Sequence, residues 1–318
     1  MTTHTPNMLN PVLIGAASGW GSRNIGTELG PVYLKDWGLA DKLSLEGLDA
    51  PWQSMLHPKK PAADATITHR DDTYDEVLTF NRKLAETVKQ TFENQGLPVV
   101  LGGDHSCAMG TWSGVVEALN AHEDFGLIWF DAHMDAHTPD TADEGKWGGF
   151  YHGMPLAHLF GHGDDNLKSL LSGKIKLNPK HVVLMGIRSY EPGEAALLER
   201  LGVRVMMMVE IREKGLKAMT EEAINIASAA KGGFGLTFDL DGLDPDDAPA
   251  VGTREKGGVD AAEMLPMLKL MGSHEKFRAL EITEFNPERD IDNKTATLMV
   301  DLITNPLSCW KNHKRIAQ

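Results

Sequence analysis

Three short apolar runs in this chain each open onto carboxylates and imidazoles, and the fold has to bring those three openings together. Leu97-Pro98-Val99-Val100-Leu101 leads into Gly102-Gly103-Asp104-His105. Leu127-Ile128-Trp129-Phe130 leads into Asp131-Ala132-His133-Met134-Asp135, and Phe234-Gly235-Leu236-Thr237-Phe238 into Asp239-Leu240-Asp241-Gly242-Leu243-Asp244-Pro245. Runs this short and this apolar suit strands buried on both faces. Continued extended backbone predicts that Asp131, His133 and Asp135 share one side, and that Asp239 and Asp241 do likewise. Four clustered aspartates carry about −4 of charge and repel one another unless cations neutralise them. Two divalent ions balance that charge.

The donor mixture narrows the ion. Carboxylate and imidazole without thiolate suit manganese, with nickel, cobalt, iron or zinc as alternatives, whereas calcium and magnesium seldom accept histidine. A pair of such ions can hold one shared hydroxide at neutral pH and polarise an oxygen or nitrogen as charge develops on it. An isolated aspartate would read as a loop cap. D-x-H-x-D, D-x-D and G-D-H, each after an apolar run, read as a two-metal hydrolytic centre.

The remaining chain supplies the setting. Residues 10–15 read as a first strand, followed by the glycine-rich loop Gly19-Trp20-Gly21-Ser22-Arg23-Asn24-Ile25-Gly26. Residues 74–94 have helical spacing, with Val77, Phe80, Leu84, Val88 and Phe92 on one face. Residues 114–121, 153–160 and 220–230 read as further helices, and residues 181–187, 203–208 and 278–283 as further strands. This alternation predicts an α/β fold, a largely parallel sheet covered by helices on both faces in three αβα layers. Ligands of such sheets gather at the carboxyl ends of the strands. No repeat or low-complexity linker divides the chain. The polar stretch 51–72 reads as a loop too early to separate domains, so residues 1–318 are expected to form a single domain.

Composition excludes some partners. The net charge is −14, from 45 acidic and 31 basic residues, which argues against nucleic acid and anionic membranes as partners. Cys107 and Cys309 are the only cysteines, outside any C-x-x-C spacing. Residues 1–11 lack a basic segment followed by an apolar one, and no run approaches bilayer-spanning length. A cytoplasmic protein is expected.

Taken together, the motifs resemble the ureohydrolases, the arginase and agmatinase family. The resemblance rests on Gly103-Asp104-His105-Ser106, Asp131-Ala132-His133-Met134-Asp135, Tyr151-His152-Gly153-Met154-Pro155, Asp239-Leu240-Asp241-Gly242-Leu243-Asp244-Pro245 and Glu281-Ile282-Thr283-Glu284-Phe285-Asn286-Pro287. It implies an arginase-like fold, two Mn2+ per chain, hydrolysis of a guanidinium group to release urea, and homotrimers or homohexamers. It further implies that His105 and Asp135 bind one ion, His133 and Asp241 the other, and that Asp131 and Asp239 touch both. Glu284 matches the guanidinium-binding glutamate, a pairing that suits a planar cation and a carboxylate. His152 matches the proton-shuttling histidine, and Asp135 joins these two as a catalytic residue. Thr253 matches a residue of the guanidinium pocket.

Within the family the features resemble arginase most. Arg188-Ser189-Tyr190-Glu191-Pro192-Gly193-Glu194 resembles the loop that holds the substrate's α-amino group, with Glu191 standing where Asp is usual. L-arginine, cleaved to L-ornithine and urea, is therefore the expected substrate; agmatine, 4-guanidinobutyrate and formiminoglutamate are the alternatives. The departures fall on the carboxylate end. His137 stands where arginases commonly carry Asn, and Asp143-Glu144-Gly145-Lys146-Trp147-Gly148-Gly149-Phe150-Tyr151 lacks their Ser-Gly-Asn signature. His137 and Lys146 are the expected replacements, as donors of suitable charge. Deacetylation on the related deacetylase fold is a different chemistry, but deacetylases use one zinc and a tandem His pair, while this chain supplies the full second-metal set.

Three other features are expected to be structural: His158 and His162 at a helix end, Met206-Met207-Met208 as strand core, and Cys107 as a small buried residue. The basic tail Lys311-Asn312-His313-Lys314-Arg315 is expected to be solvated or at a subunit contact.

Overall fold

A computed structural model of the chain describes residues 10–23, 25–59, 68–119, 123–142, 149–173 and 176–308. The described residues contain eight strands in one sheet: β1 (Pro11–Ala16), β2 (Trp52–Leu56), β3 (Leu97–Gly102), β4 (Gly126–Phe130), β5 (Val182–Ile187), β6 (Arg204–Met207), β7 (Phe234–Asp239) and β8 (Phe277–Thr283). Their order is β2-β1-β3-β8-β7-β4-β5-β6, and every neighbouring pair is parallel. Each residue of β3, β4, β5 and β7 is buried. That pattern requires cover on both faces, and the three-layer αβα expectation is met.

The helices form where apolar stripes recur at 3.6-residue spacing. Helix Tyr74–Glu93 buries the predicted Val77, Phe80, Leu84, Val88 and Phe92. Each such side chain contributes about 1.5–3 kcal/mol on leaving water. It packs on helix Ala108–Glu117 through Gly114, where a Cβ would run into the carbonyl of Ala85. That second helix begins six residues before the predicted 114, directly after the one-turn helix His105–Cys107. Helices Ala261–Gly272 and Lys294–Ser308 pack together in the same way.

Three further boundaries differ from the sequence reading. The stretch 51–72 is not all loop, because Trp52–Leu56 adds the edge strand β2. Its Gln53 and Ser54 break the apolar pattern, and β1 supplies the pairing that holds it. Met208 leaves β6 to start helix Met208–Lys214. The predicted helix 153–160 is a single turn at Tyr151–Gly153 followed by Pro155–Leu159, since Pro155 occupies the first helical position.

What positions the site is the middle of the sheet. The four adjacent strands β3, β8, β7 and β4 end level with one another, Leu101 beside Ile282 and Asp239 beside Thr283. The loops leaving their carboxyl ends therefore meet.

Candidate metal centre

The predicted ligands converge, though not by strand alternation. β4 ends at Phe130, and Asp135 adopts φ +48°, so the segment 131–135 turns back rather than running extended. After β7, Leu240–Gly242 forms a single 3-10 turn, capped by Asp239 Oδ1 accepting from Asp241 N–H at 2.8 Å. Asp131 Oδ1 accepts likewise from His133 N–H at 2.6 Å, and Asp131 Oδ2 from Trp129 Nε1 at 2.9 Å. The short-range carboxylate–amide bonds curl each loop so that its acids face inward. The residues that alternation singled out do come together, but loop curvature rather than alternation gathers them.

His105 Nδ1 lies 3.1 Å from Asp131 Oδ2, 3.0 Å from Asp135 Oδ2 and 3.1 Å from Asp239 Oδ2. It hydrogen-bonds none of them, although it is buried. Adjacent ligands around an octahedral ion with bonds of about 2.1 Å stand about 3.0 Å apart, so these four atoms have the spacing of ligands rather than of hydrogen-bond partners. Thr237 supplies the tautomer. Its hydroxyl donates to Glu281 Oε2 at 2.7 Å, so its oxygen accepts from His105 Nε2–H at 3.0 Å. The proton is thereby kept on Nε2, and Nδ1 turns a bare lone pair toward three carboxylates. Glu281 is held by neutral donors only, Trp112 Nε1 at 3.0 Å and Thr111 Oγ1 at 2.5 Å besides Thr237.

A second group adjoins the first. His133 Nδ1 stands 3.4 Å from Asp131 Oδ1 and 3.2 Å from Asp241 Oδ2. Asp131 thus offers one oxygen to each group, as the resemblance implied. Asp239 sits on the His105 side, its other oxygen engaged by Asp241 N–H. Electrostatics demand positive charge here. Burial and the charge of Asp131 push the Asp135 carboxyl up to about 7, and burial raises those of Asp239 and Asp241 as well. Burial alone would lower the His105 pKa, but the three carboxylates of Asp131, Asp135 and Asp239 gathered around Nδ1 outweigh it and raise it well above the ordinary value. Each group could hold a cation that meets this demand, and the oxygen–imidazole donor set would fit manganese-type ions.

Glu284 follows β8 and reaches across to β3. Its Oε1 accepts from His105 N–H at 2.9 Å, and its own N–H donates to Gly103 O at 2.8 Å. Its φ is +69°, a left-handed conformation that a non-glycine residue keeps only when neighbours hold it there. Burial, with Asp104 and Asp241 nearby, raises its carboxyl well above the ordinary range, so a cation beside it would be welcome. His152 is tied in through Gly21. Gly21 O accepts from His152 N–H at 2.8 Å, and Gly21 N–H donates to Asp104 Oδ2 at 2.9 Å. A side chain at Gly21 would strike Asp104 and Ser106, which explains the glycine-rich loop. Asp104 itself is a cap, accepting also from Ser106 N–H.

A cavity of about 330 Å³ opens above these groups. Buried Asp131 lies beneath it. The other predicted ligands line it, together with His152, Thr253, Glu284, His137, Glu191 and Glu194. At the far end His137 Nε2 meets Glu191 Oε2 at 2.5 Å, so the two are paired to each other. Glu194 closes the capping box of helix Pro192–Leu201 and also accepts from Ala136 N–H, so much of its capacity is spent on the loop. Lys146 falls outside the described residues, as do Cys309 and the basic tail. Sequence reasoning missed Thr237, Glu281, Arg188 and Glu255. A hydroxyl two residues before Asp239 and an acid inside the apolar run of β8 were the available signals for the first two. His158 is structural as expected, Nδ1 against Met154 O and Nε2 accepting from Asp164 N–H.

A parallel αβα sheet with paired carboxylate–imidazole groups at its central strand ends defines a class of metal-centre proteins, and comparison with known proteins narrows it. The model of the Arginase family matches residues 10–308. The arginase of Staphylococcus aureus is 34% identical over 296 residues, 92% of this chain and 94% of that protein. The solved arginase of Bacillus subtilis is 33% identical, with a TM-score of 0.84 over 94% of this chain and 98% of that one. The arginase of Entamoeba histolytica, solved in complex with L-ornithine, gives a TM-score of 0.84 at 27% identity, over 94% of this chain and 98% of that one. The chain belongs to the arginase family.

Proposed function

We propose that this protein hydrolyses L-arginine to L-ornithine and urea at a centre of two Mn2+ ions, the whole chain forming one catalytic domain. The observation that carries the reading is Glu284, a buried carboxylate placed against the His105 backbone at the edge of the two ligand groups. His105, Asp135, Asp239 and Asp131 would hold one ion, and His133, Asp241 and Asp131 the other. When bound, the ions supply a water that loses its proton near neutral pH and Lewis acidity toward the substrate. The nearness of the arginase relatives supports arginine, and the L-ornithine in the E. histolytica structure is the product such a reaction leaves.

The chain's own residues do the rest. Glu284 binds the guanidinium in plane, keeping one lone pair for His105 N–H, and orients its carbon toward the ligand groups. Asp135 faces the cavity and accepts a hydrogen bond from the attacking water. Thr253 narrows the guanidinium end. His152, half-buried on the cavity wall, delivers a proton to the amino nitrogen that leaves as the C–N bond breaks. In His152→Ala, kcat is expected to fall about 100-fold with manganese content unchanged. Loss of metal together with activity would instead make His152 structural.

The distal wall decides the substrate. A substrate α-ammonium would take the place of His137 on Glu191, with Glu194 behind it, and the His137 Nε2 released in that exchange would donate to the α-carboxylate. Lys146, outside the described residues, is the second donor proposed from the sequence. A second reading, an amine-ended guanidino substrate such as agmatine, is favoured by one observation: among the described residues the cavity lining includes no lysine or arginine. Urea release from arginine, agmatine and 4-guanidinobutyrate, and formamide release from formiminoglutamate, separates them. Arginine is expected to exceed agmatine by about 100-fold in kcat/KM; the reverse order would overturn the arginine assignment alone. The same reading carries a cytoplasmic homotrimer or homohexamer, which light scattering measures. Among the described residues no helix is long and apolar enough to cross a membrane.

A further inference from the structure

The two imidazoles that face the ligand groups are served differently at their remote nitrogens. His105 Nε2 is sealed inside the sheet by Thr237 and Glu281, all buried. His133 Nε2 points the other way, toward the cavity wall, where Glu255 Oε1 stands 3.8 Å away. The same Glu255 oxygen accepts from Ser189 Oγ at 3.4 Å, so the carboxylate is held between the two. About a third of this side chain is exposed, and it lines the cavity.

The loop that carries Glu255 is fastened to the loop after β7 by backbone bonds near Val259 and, closest to Glu255, by one guanidinium. Arg188 donates to the carbonyls of Asp241 (2.5 Å), Gly242 (3.3 Å) and Leu243 (3.2 Å) after β7 and of Gly186 (3.0 Å) in β5. It donates also to the carbonyls of Glu255 (2.8 Å) and Lys256 (3.2 Å). One planar cation thus joins the backbone beside Asp241 to the backbone of Glu255. Such a fork costs little ordering entropy per bond, since its donors are already arranged. The position of Glu255 relative to His133 is therefore built into the fold.

We propose that Glu255 is the positioning carboxylate of His133, held in register by Arg188 and Ser189, so that the ion on the His133 side is supported from the cavity wall while the ion on the His105 side is supported from the core. A carboxylate within charge-pairing reach of the remote nitrogen, here 3.8 Å away, favours a proton there and leaves Nδ1 to face Asp131 and Asp241 as a better donor. The proposal rests on the two-ion reading of the centre. It makes the two ions unequal: the one on the His133 side depends on a solvent-reached side chain.

Calorimetric titration of the metal-stripped full-length protein with Mn2+ alone tests this. The unsubstituted protein is expected to take up two ions. In Glu255→Ala one of the two steps should weaken about 10–100-fold, while the other is unchanged. Glu255→Gln, which keeps an oxygen acceptor without the charge, should show an intermediate loss confined to the same step. It carries the comparison by itself if the alanine variant does not fold. Identical isotherms for Glu255→Ala or Glu255→Gln and the unsubstituted protein would overturn the proposal, and so would equal weakening of both steps, which marks general loop damage. Uptake of no manganese by the unsubstituted protein would overturn the two-ion reading beneath it.

Discussion

Asp131→Ala protein is expected to retain neither ion after gel filtration and to release no measurable urea. Among the described residues Asp131 is the one with an oxygen in each group, 3.1 Å from His105 Nδ1 and 3.4 Å from His133 Nδ1. Removing it takes a charged ligand from both ions at once, so each affinity should fall by well over the roughly 100-fold that a supporting residue commands. Thermal unfolding gives a second readout. Manganese at about 1,000 times its dissociation constant stabilises the native state by about 4 kcal/mol per site. The unsubstituted protein should therefore melt several degrees higher with manganese than with a chelator, and Asp131→Ala should melt at one temperature in both. Elemental analysis that finds two ions still bound to the variant would remove Asp131 from the centre.

Glu284→Gln is expected to keep both ions and lose turnover. The amide oxygen can still accept from His105 N–H, so the strained backbone at this position has reason to stay as it is. What disappears is the charge that pairs with a guanidinium in a buried place. Removing one partner of a buried charged pair costs about 3–5 kcal/mol, or a hundred- to several-thousand-fold in kcat/KM. Both KM and kcat should suffer, because the same contact binds the substrate and aims it. A variant with unaltered kinetics would show that the guanidinium lies elsewhere in the cavity. A variant that lost its manganese would make Glu284 a support of the His105 loop instead.

Much of this cluster could be read from the chain because its candidate ligands are close in sequence to buried strands. D-x-H-x-D and D-x-D cluster whatever the backbone does next, since residues two apart cannot separate far. The strands themselves were legible for a related reason. A central parallel strand is apolar on both faces, and Leu127-Ile128-Trp129-Phe130 has no other way to be buried. Where burial is partial the signal fails, as at the edge strand Trp52–Leu56, whose pairing with β1 supplies what its composition does not.

Lateral order is another matter. Nothing local states that β8, late in the chain, inserts between β3 and β7, because that choice is made by helical crossovers packing over dozens of residues. It is this insertion that sets Glu284 against His105 across 179 positions and lines up Glu281, Thr237 and His105. The pairing of His137 with Glu191, 54 positions apart, and the stapling of Glu255 by Arg188 arise in the same way. Short-range covalent geometry and the need to bury apolar runs let the sequence determine which residues end the strands and which ions suit them. Which strand end stands beside which, and therefore which acid joins the clustered imidazoles, which faces the cavity and which is spent on another side chain, is decided by the competition among packings of the whole sheet, and only the tertiary structure records its outcome.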